Sequence, residues 1–138
     1  MAERERYSVH FRVSGPEFDV DALVAAARPT GAHEVWRRGE LVGDEGHVAH
    51  TSGLQIELVD ASEEDDVPAA IETFLDTEVP FLSALVRVTS DETHAVVSCA
   101  LWVLGGEPVS LTLPSLLLTR LAAAGLSFEA TGYPIAET

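Results

Sequence analysis

The sequence predicts an α+β fold, a mainly antiparallel or mixed sheet of four to five strands with helices packed on one face. Three observations lead there. Segments that alternate apolar and polar residues recur along the chain, each with one greasy and one mostly polar face, as half-buried strands have. Between them lie segments with apolar residues three and four apart, as in helices that cover one side of a sheet. The resulting order, β-α-β-α-α-β-α-β, supplies at least four strands and one layer of helices. At 138 residues the chain reads as a single domain, residues 1–138. A chain of that size buries roughly two-thirds of its unfolded surface without a metal or disulfide.

Each element follows from local pattern. "YSVHFRVSG" puts Tyr7, Val9, Phe11 and Val13 on one face and Ser8, His10, Arg12 and Ser14 on the other, and Gly15-Pro16 breaks it. "FDVDALVAAARP" predicts a short helix with Asp19 as N-cap, Leu23, Ala26 and Ala27 toward the core, and Pro29 as its end. Residues 29–51 read as a long loop rich in Gly, His and charge, with a small strand near Trp36. "SGLQIELVD" is a strand with Leu54, Ile56 and Leu58 inward. After the acidic turn "ASEEDD", Asp66 caps a helix whose first position is Pro68 and whose stripe is Ile71, Phe74 and Leu75. Pro80 marks a kink or a second helix carrying Leu82, Leu85 and Val86. "HAVVSCALWVL" is the most apolar strand and is expected to be central. Pro114 opens a last helix with Leu117, Leu118, Leu121 and Ala124 on one side, and Gly125 closes it. "LSFEATGYP" is the final strand, with Leu126, Phe128 and Ala130 inward.

The two ends echo each other as two βα units in pseudo-repeat, bridged by the middle helices. With helices on one side, the other face of the sheet would display His10, Arg12, Gln55, Glu57, Ser98, Trp102, Ser127 and Glu129. Trp102, beside Val96, Ala100 and Leu104, makes an apolar patch there, to be covered by the long loop or the chain's own tail, a second copy or a ligand.

The chain also resembles a known family. "FRVSGPEFDVDAL", "PTGAHEVWRRGE" and "SLLLTRLAAAGLSFEATGYP" resemble the recurring pattern of the bacterial family called domain of unknown function 4279: strand, helix, a Pro-Thr stretch with a basic-Gly-acidic tripeptide, then a Leu-rich helix and strand. The resemblance covers nearly the whole chain. It departs at Gln55, where members often carry an aromatic residue. It implies the fold and a cytoplasmic bacterial setting, and no agreed activity.

Charge narrows the function. The chain holds 23 acidic and 8 basic residues, all of the latter Arg, for a net charge of −15. Nucleic acid and anionic membranes are disfavoured as partners; the charge reads first as conferring solubility or a preference for high salt, and otherwise as a docking surface for a basic partner or as mimicry of nucleic acid. No run is long and apolar enough to span a bilayer, and "MAERERYSV" lacks a secretory apolar region, so a cytoplasmic location is expected. The single Cys99 reads as a buried, reduced thiol. Asp44, Glu45, His47 and His50 in "DEGHVAH" are read as solvated loop residues, so no metal and no cofactor are implied. No nucleophile elbow or phosphate-binding glycine motif is present, and no catalytic residue is assigned.

"HEVWRRGE" is the most distinctive stretch. His33, Trp36, Arg37, Arg38 and Glu40 are candidate ligand residues: Arg offers paired donors to an anion, and Trp stacks on a flat group. Local pairing of the arginines with Glu34 and Glu40 is the competing reading. His10, Arg12, Gln55, Glu57 and Trp102 form a candidate interface on the open face. The leading expectation is a non-enzymatic protein-interaction domain with an acidic surface, monomeric or homodimeric, of the kind that neutralises a basic toxin or nuclease. The alternatives are a regulator that binds a small anion at residues 36–38 and an enzyme using His10 or His33 with a carboxylate.

Overall fold

The computed structural model describes residues 6–42, 46–105 and 107–135. In chain order its elements are β1 (Tyr7–Gly15), α1 (Val20–Ala26), β2 (His33–Trp36), β3 (Leu41–Val42), β4 (His47–Val48), β5 (Ser52–Ala61), α2 (Asp66–Thr77), α3 (Val79–Val88), β6 (His94–Leu104), α4 (Ser115–Ala123) and β7 (Ser127–Ile135). Five strands form one mixed sheet in the order β2-β5-β1-β6-β7, and β3 and β4 form a separate hairpin. Neighbours in the large sheet are antiparallel except β6 and β7, which are parallel. This is the expected α+β class. Both ends are strand–helix–strand units with parallel strands. In β6-α4-β7 the strands are neighbours, whereas in β1-α1-β2 strand β5 lies between them. No helix among the described residues is long and apolar enough to cross a membrane.

The core lies between the sheet and the helices. Val9, Phe11 and Val13 of β1 are fully buried and meet Leu54, Val97 and Cys99 from the flanking strands. Phe11 packs on Phe74 of α2 at 5.1 Å and edge-on to Phe81 of α3 at 5.7 Å. Leu23 of α1 and Leu117 and Leu121 of α4 complete the layer. The helix ends obey local chemistry. Asp19 accepts the Ala22 N–H at 2.9 Å as N-cap of α1. Gly125, at φ +76°, ends α4 in a Schellman turn, with Gly125 N–H on Ala122 O and Leu126 N–H on Leu121 O.

Several expectations need correction. The central strand is β1, and β6 lies beside it. The high apolarity of β6 has another cause, since Val96, Ala100 and Trp102 face away from the helices. Consecutive helical residues point about 100° apart, so not every apolar residue can face inward. Ala26, Val86 and Leu118 turn outward, because Val20 with Leu23, Phe81 with Leu85, and Leu117 with Leu121 set the buried stripes. Ala130 is exposed because β7 is the edge strand. Helix α2 starts at Asp66 itself, which places Pro68 at its third position. The possible kink at Pro80 is a new helix, α3, with Pro80 in its first turn.

Two features escaped the pattern. A bulge lies opposite Val9 and His10: Val9 pairs with Val59 and His10 with Glu57, leaving Leu58 as the extra residue. The parity of β5 flips there, so Asp60 joins the polar face and Ala61 the core. At the joint of α2 and α3, Glu78 is 5% exposed. Its carboxylate accepts the Thr30 N–H at 2.9 and 3.2 Å and the Thr30 hydroxyl as well.

Candidate functional site

Strand alternation builds the site. With the helices on one side, every second side chain of β5, β1, β6 and β7 faces the other way, and register aligns these in rows across the sheet. One row is Glu57, His10, Ser98 and Glu129. The next toward the start of β1 is Asp60, Ser8, Ala100 and Thr131. On the other side lie Gln55, Arg12, Val96 and Ser127. The middle of these rows, from Gln55 and Arg12 through His10 and Ser98 to Glu129, lines a concavity of about 410 Å³, which also reaches His94, Trp102 and Tyr133. Its volume lies in the range that accepts a small ligand or a few side chains of a partner.

An aromatic group stands at each of two opposite corners. At one, Trp102 of β6 and its register partner Tyr133 of β7 stack with ring centroids 5.0 Å apart and a 33° tilt. Tyr133 is 44% exposed. At the other, Trp36 lies over Gly53, and the Arg12 guanidinium sits 5.0 Å from the centre of its ring. The indole N–H donates to Thr51 Oγ1 at 3.3 Å. Between the corners, the Ser98 hydroxyl donates to Glu129 at 3.3 Å. Hydrogen bonding with the Glu57 carboxyl holds Asp60 below the usual carboxylate range, Ser8 and the nearby His10 act the same way, and burial opposes them. The face therefore offers stacking surfaces, acceptors and donors. Glu57, His10 and Ser98 stand in line, yet the Ser98 hydroxyl is given to Glu129 and not to the imidazole.

The stretch from His33 to Glu40 is divided between two sides of the molecule. Trp36 belongs to the open face. His33, three residues earlier, has the opposite parity and its ring bonds Gly31 O at 3.1 Å. The arginines fold back toward the β1–α1 corner. Arg37 grips Asp21 of α1 with Nε at 3.1 Å from both carboxylate oxygens and Nη2 at 2.6 Å from one. This pairing lowers the Asp21 pKa and raises that of Arg37. Arg38 reaches Glu17 at 3.1 Å, and its N–H donates to Ser52 Oγ at 2.9 Å. Glu40 accepts the Arg37 N–H at 2.6 Å across a turn that Gly39 makes with φ +93°. The main partners are thus Asp21 and Glu17, distant in sequence, and not the adjacent Glu34 and Glu40. Glu40 Oε2 is 4.0 Å from Arg37.

Sequence comparison now places the chain. Residues 5–134 match the family described as "Domain of unknown function (DUF4279)". The chain belongs to this family. No curated protein sequence matches it. The family-like segments act as braces in this member: Thr30 of the Pro-Thr stretch holds Glu78, and Arg38, Gly39 and Glu40 of the basic-Gly-acidic tripeptide fix the turn behind Trp36.

The open-face residues His10, Arg12, Gln55, Glu57 and Trp102 do share one surface, with Gln55 beside Arg12. Tyr133 escaped notice although it shares the parity of Ser127 and Glu129, which was the available signal. Asp60 was hidden by the bulge. Of the metal candidates, His47 and His50 are exposed, and Asp44 and Glu45 lie outside the described residues. Among the described residues, no three His, Cys, Asp or Glu are placed to hold a metal. Cys99 is a free, buried thiol that burial pushes up to about 11.

Proposed function

We propose that the chain is a non-enzymatic binding domain that takes a basic protein partner on the open face of its sheet. The observation that carries this reading is the concavity itself, with the stacked Trp102 and Tyr133 at one corner and a polar floor beside them. Trp and Tyr are the residue types on which protein partners are most often anchored, and Tyr133 here is half-exposed beside Trp102. The net charge of −15 supports a basic partner, because it steers cationic surfaces in and turns anionic ones away. Covering the basic active site of a toxin or nuclease is the specific case this chemistry suits. The anion-binding reading of residues 36–38 has less support, because Asp21 and Glu17 already occupy the two arginines.

The test is to pan a random-peptide display library against the chain and against Trp102→Ala. Selected sequences should be enriched in Arg and Lys and bind the variant at least tenfold more weakly. Selections without cationic bias, or equal affinity for the variant, would overturn the reading.

A further inference from the structure

We infer that the free edge of β7 accepts an extended segment of the basic partner as a sixth strand of the sheet. The inference rests on the basic-partner reading above and adds how that partner is held.

Strand β7 ends the sheet and, among the described residues, pairs only with β6. One row of its main-chain N–H and C=O groups therefore faces no strand, and such a row is a template for another chain. Edges are commonly guarded by shortness, lysine, a bulge or a covering segment. The other edge, β2, is four residues long, and the arginine braces follow it directly. Strand β7 is nine residues long and carries no Arg or Lys. Among the described residues its guards are the negative charge of Glu129, which a basic segment would neutralise, and Pro134 near the far end, which lacks an N–H. On the helix side, the exposed Ala130 and Gly132 leave room beside the backbone.

The side chains say what kind of strand fits. An added strand would alternate as β7 does, laying every second side chain on the open face beside Glu129, Thr131 and Tyr133. A basic residue next to Glu129 would form an ion pair, and one next to the half-exposed Tyr133 would sit against its ring. These positions are four residues apart, roughly 13 Å along a strand. The matching segment thus carries basic residues at i and i+4. A second copy of the chain is a poor occupant, because each copy brings a charge of −15 to the joint.

The probe is a synthetic nine-residue peptide with arginine at its third and seventh positions and threonine and valine elsewhere, titrated by calorimetry at low salt. In a paired strand, alternate N–H groups point to opposite sides. N-methylation of one alternate set should therefore weaken binding at least tenfold, and methylation of the other set less than threefold. Glu129→Gln should weaken it about three- to tenfold, and the β7 amides should exchange more slowly with peptide bound. Equal binding by both methylated sets, or no binding, overturns the inference. So does a dimer in sedimentation whose β7 amides are protected without peptide. Weaker binding by Trp102→Ala with no effect of methylation removes the sixth strand and leaves the open-face reading standing. Methylation sensitivity without a Trp102 effect supports the strand and removes that reading.

Discussion

At Gly53 the sheet has no room for a side chain. A Cβ there would lie 2.3 Å from the Trp36 ring and 2.6 Å from the Val13 carbonyl oxygen. The ring could swing away; the carbonyl belongs to the central strand and cannot. Gly53→Ala should therefore cost about 1–3 kcal/mol by overpacking and shift the tryptophan emission as Trp36 leaves Arg12. Urea unfolding followed by fluorescence checks both, and an unchanged midpoint would contradict the close packing. Cys99 makes a pH statement. Burial raises its folded pKa from 9.0 to about 11, so folding favours the neutral thiol. That contribution is fully present below pH 9 and is lost as pH rises through about 11. At pH 8 a thiol reagent should label the folded protein far more slowly than the urea-unfolded chain. Equal labelling rates would place the thiol at the surface.

Among the elements, the joint between α2 and α3 carries the largest single polar commitment. Glu78 is buried, and Thr30 supplies its bonds from 48 residues away. Glu78→Ala removes the hydrogen bonds from Thr30 to a charged acceptor and should cost about 1.5–3 kcal/mol; Glu78→Gln keeps an acceptor and should cost less. Chemical denaturation of both variants gives the order, and equal stabilities would remove the joint's importance. This scale also shows what the chain's pattern can and cannot reveal. β1 was legible because its alternation is unbroken, and the end of α4 because Gly125 has one good use there. The bulge in β5 was not, because Leu58 and Val59 are both apolar and nothing marks where the parity changes. The Glu78–Thr30 bond was not, because it joins two segments that only the fold brings together. In "HEVWRRGE" the residue types were right for a site, but the carboxylates that occupy the arginines sit on another element. The open face, Tyr133 included, was readable from alternation alone, up to the point where Asp60 joins it past the bulge.

Over the whole molecule, charge opposes compactness. A net charge of −15 on 138 residues repels itself, and added salt screens that repulsion. The exposed arginine braces lose strength in salt too, but each contributes little. Raising sodium chloride from 20 to 500 mM should therefore stabilise the fold by on the order of 1 kcal/mol, or roughly 3–5 °C in Tm. A falling Tm in a scanning calorimeter would mean that the local pairs outweigh the global field. The sheet order has a consequence in time as well as in space. The middle strand, β1, is made early, while its partner β6 comes so late that Tyr7 pairs with Leu101. At about 5–20 residues per second, β1 waits roughly 5–20 s for that partner during translation. Contacts so far apart in the chain also slow refolding. Through that interval Val9, Phe11 and Val13 lack one flank of the sheet, so the nascent chain, more than the finished protein, is the species that needs a chaperone.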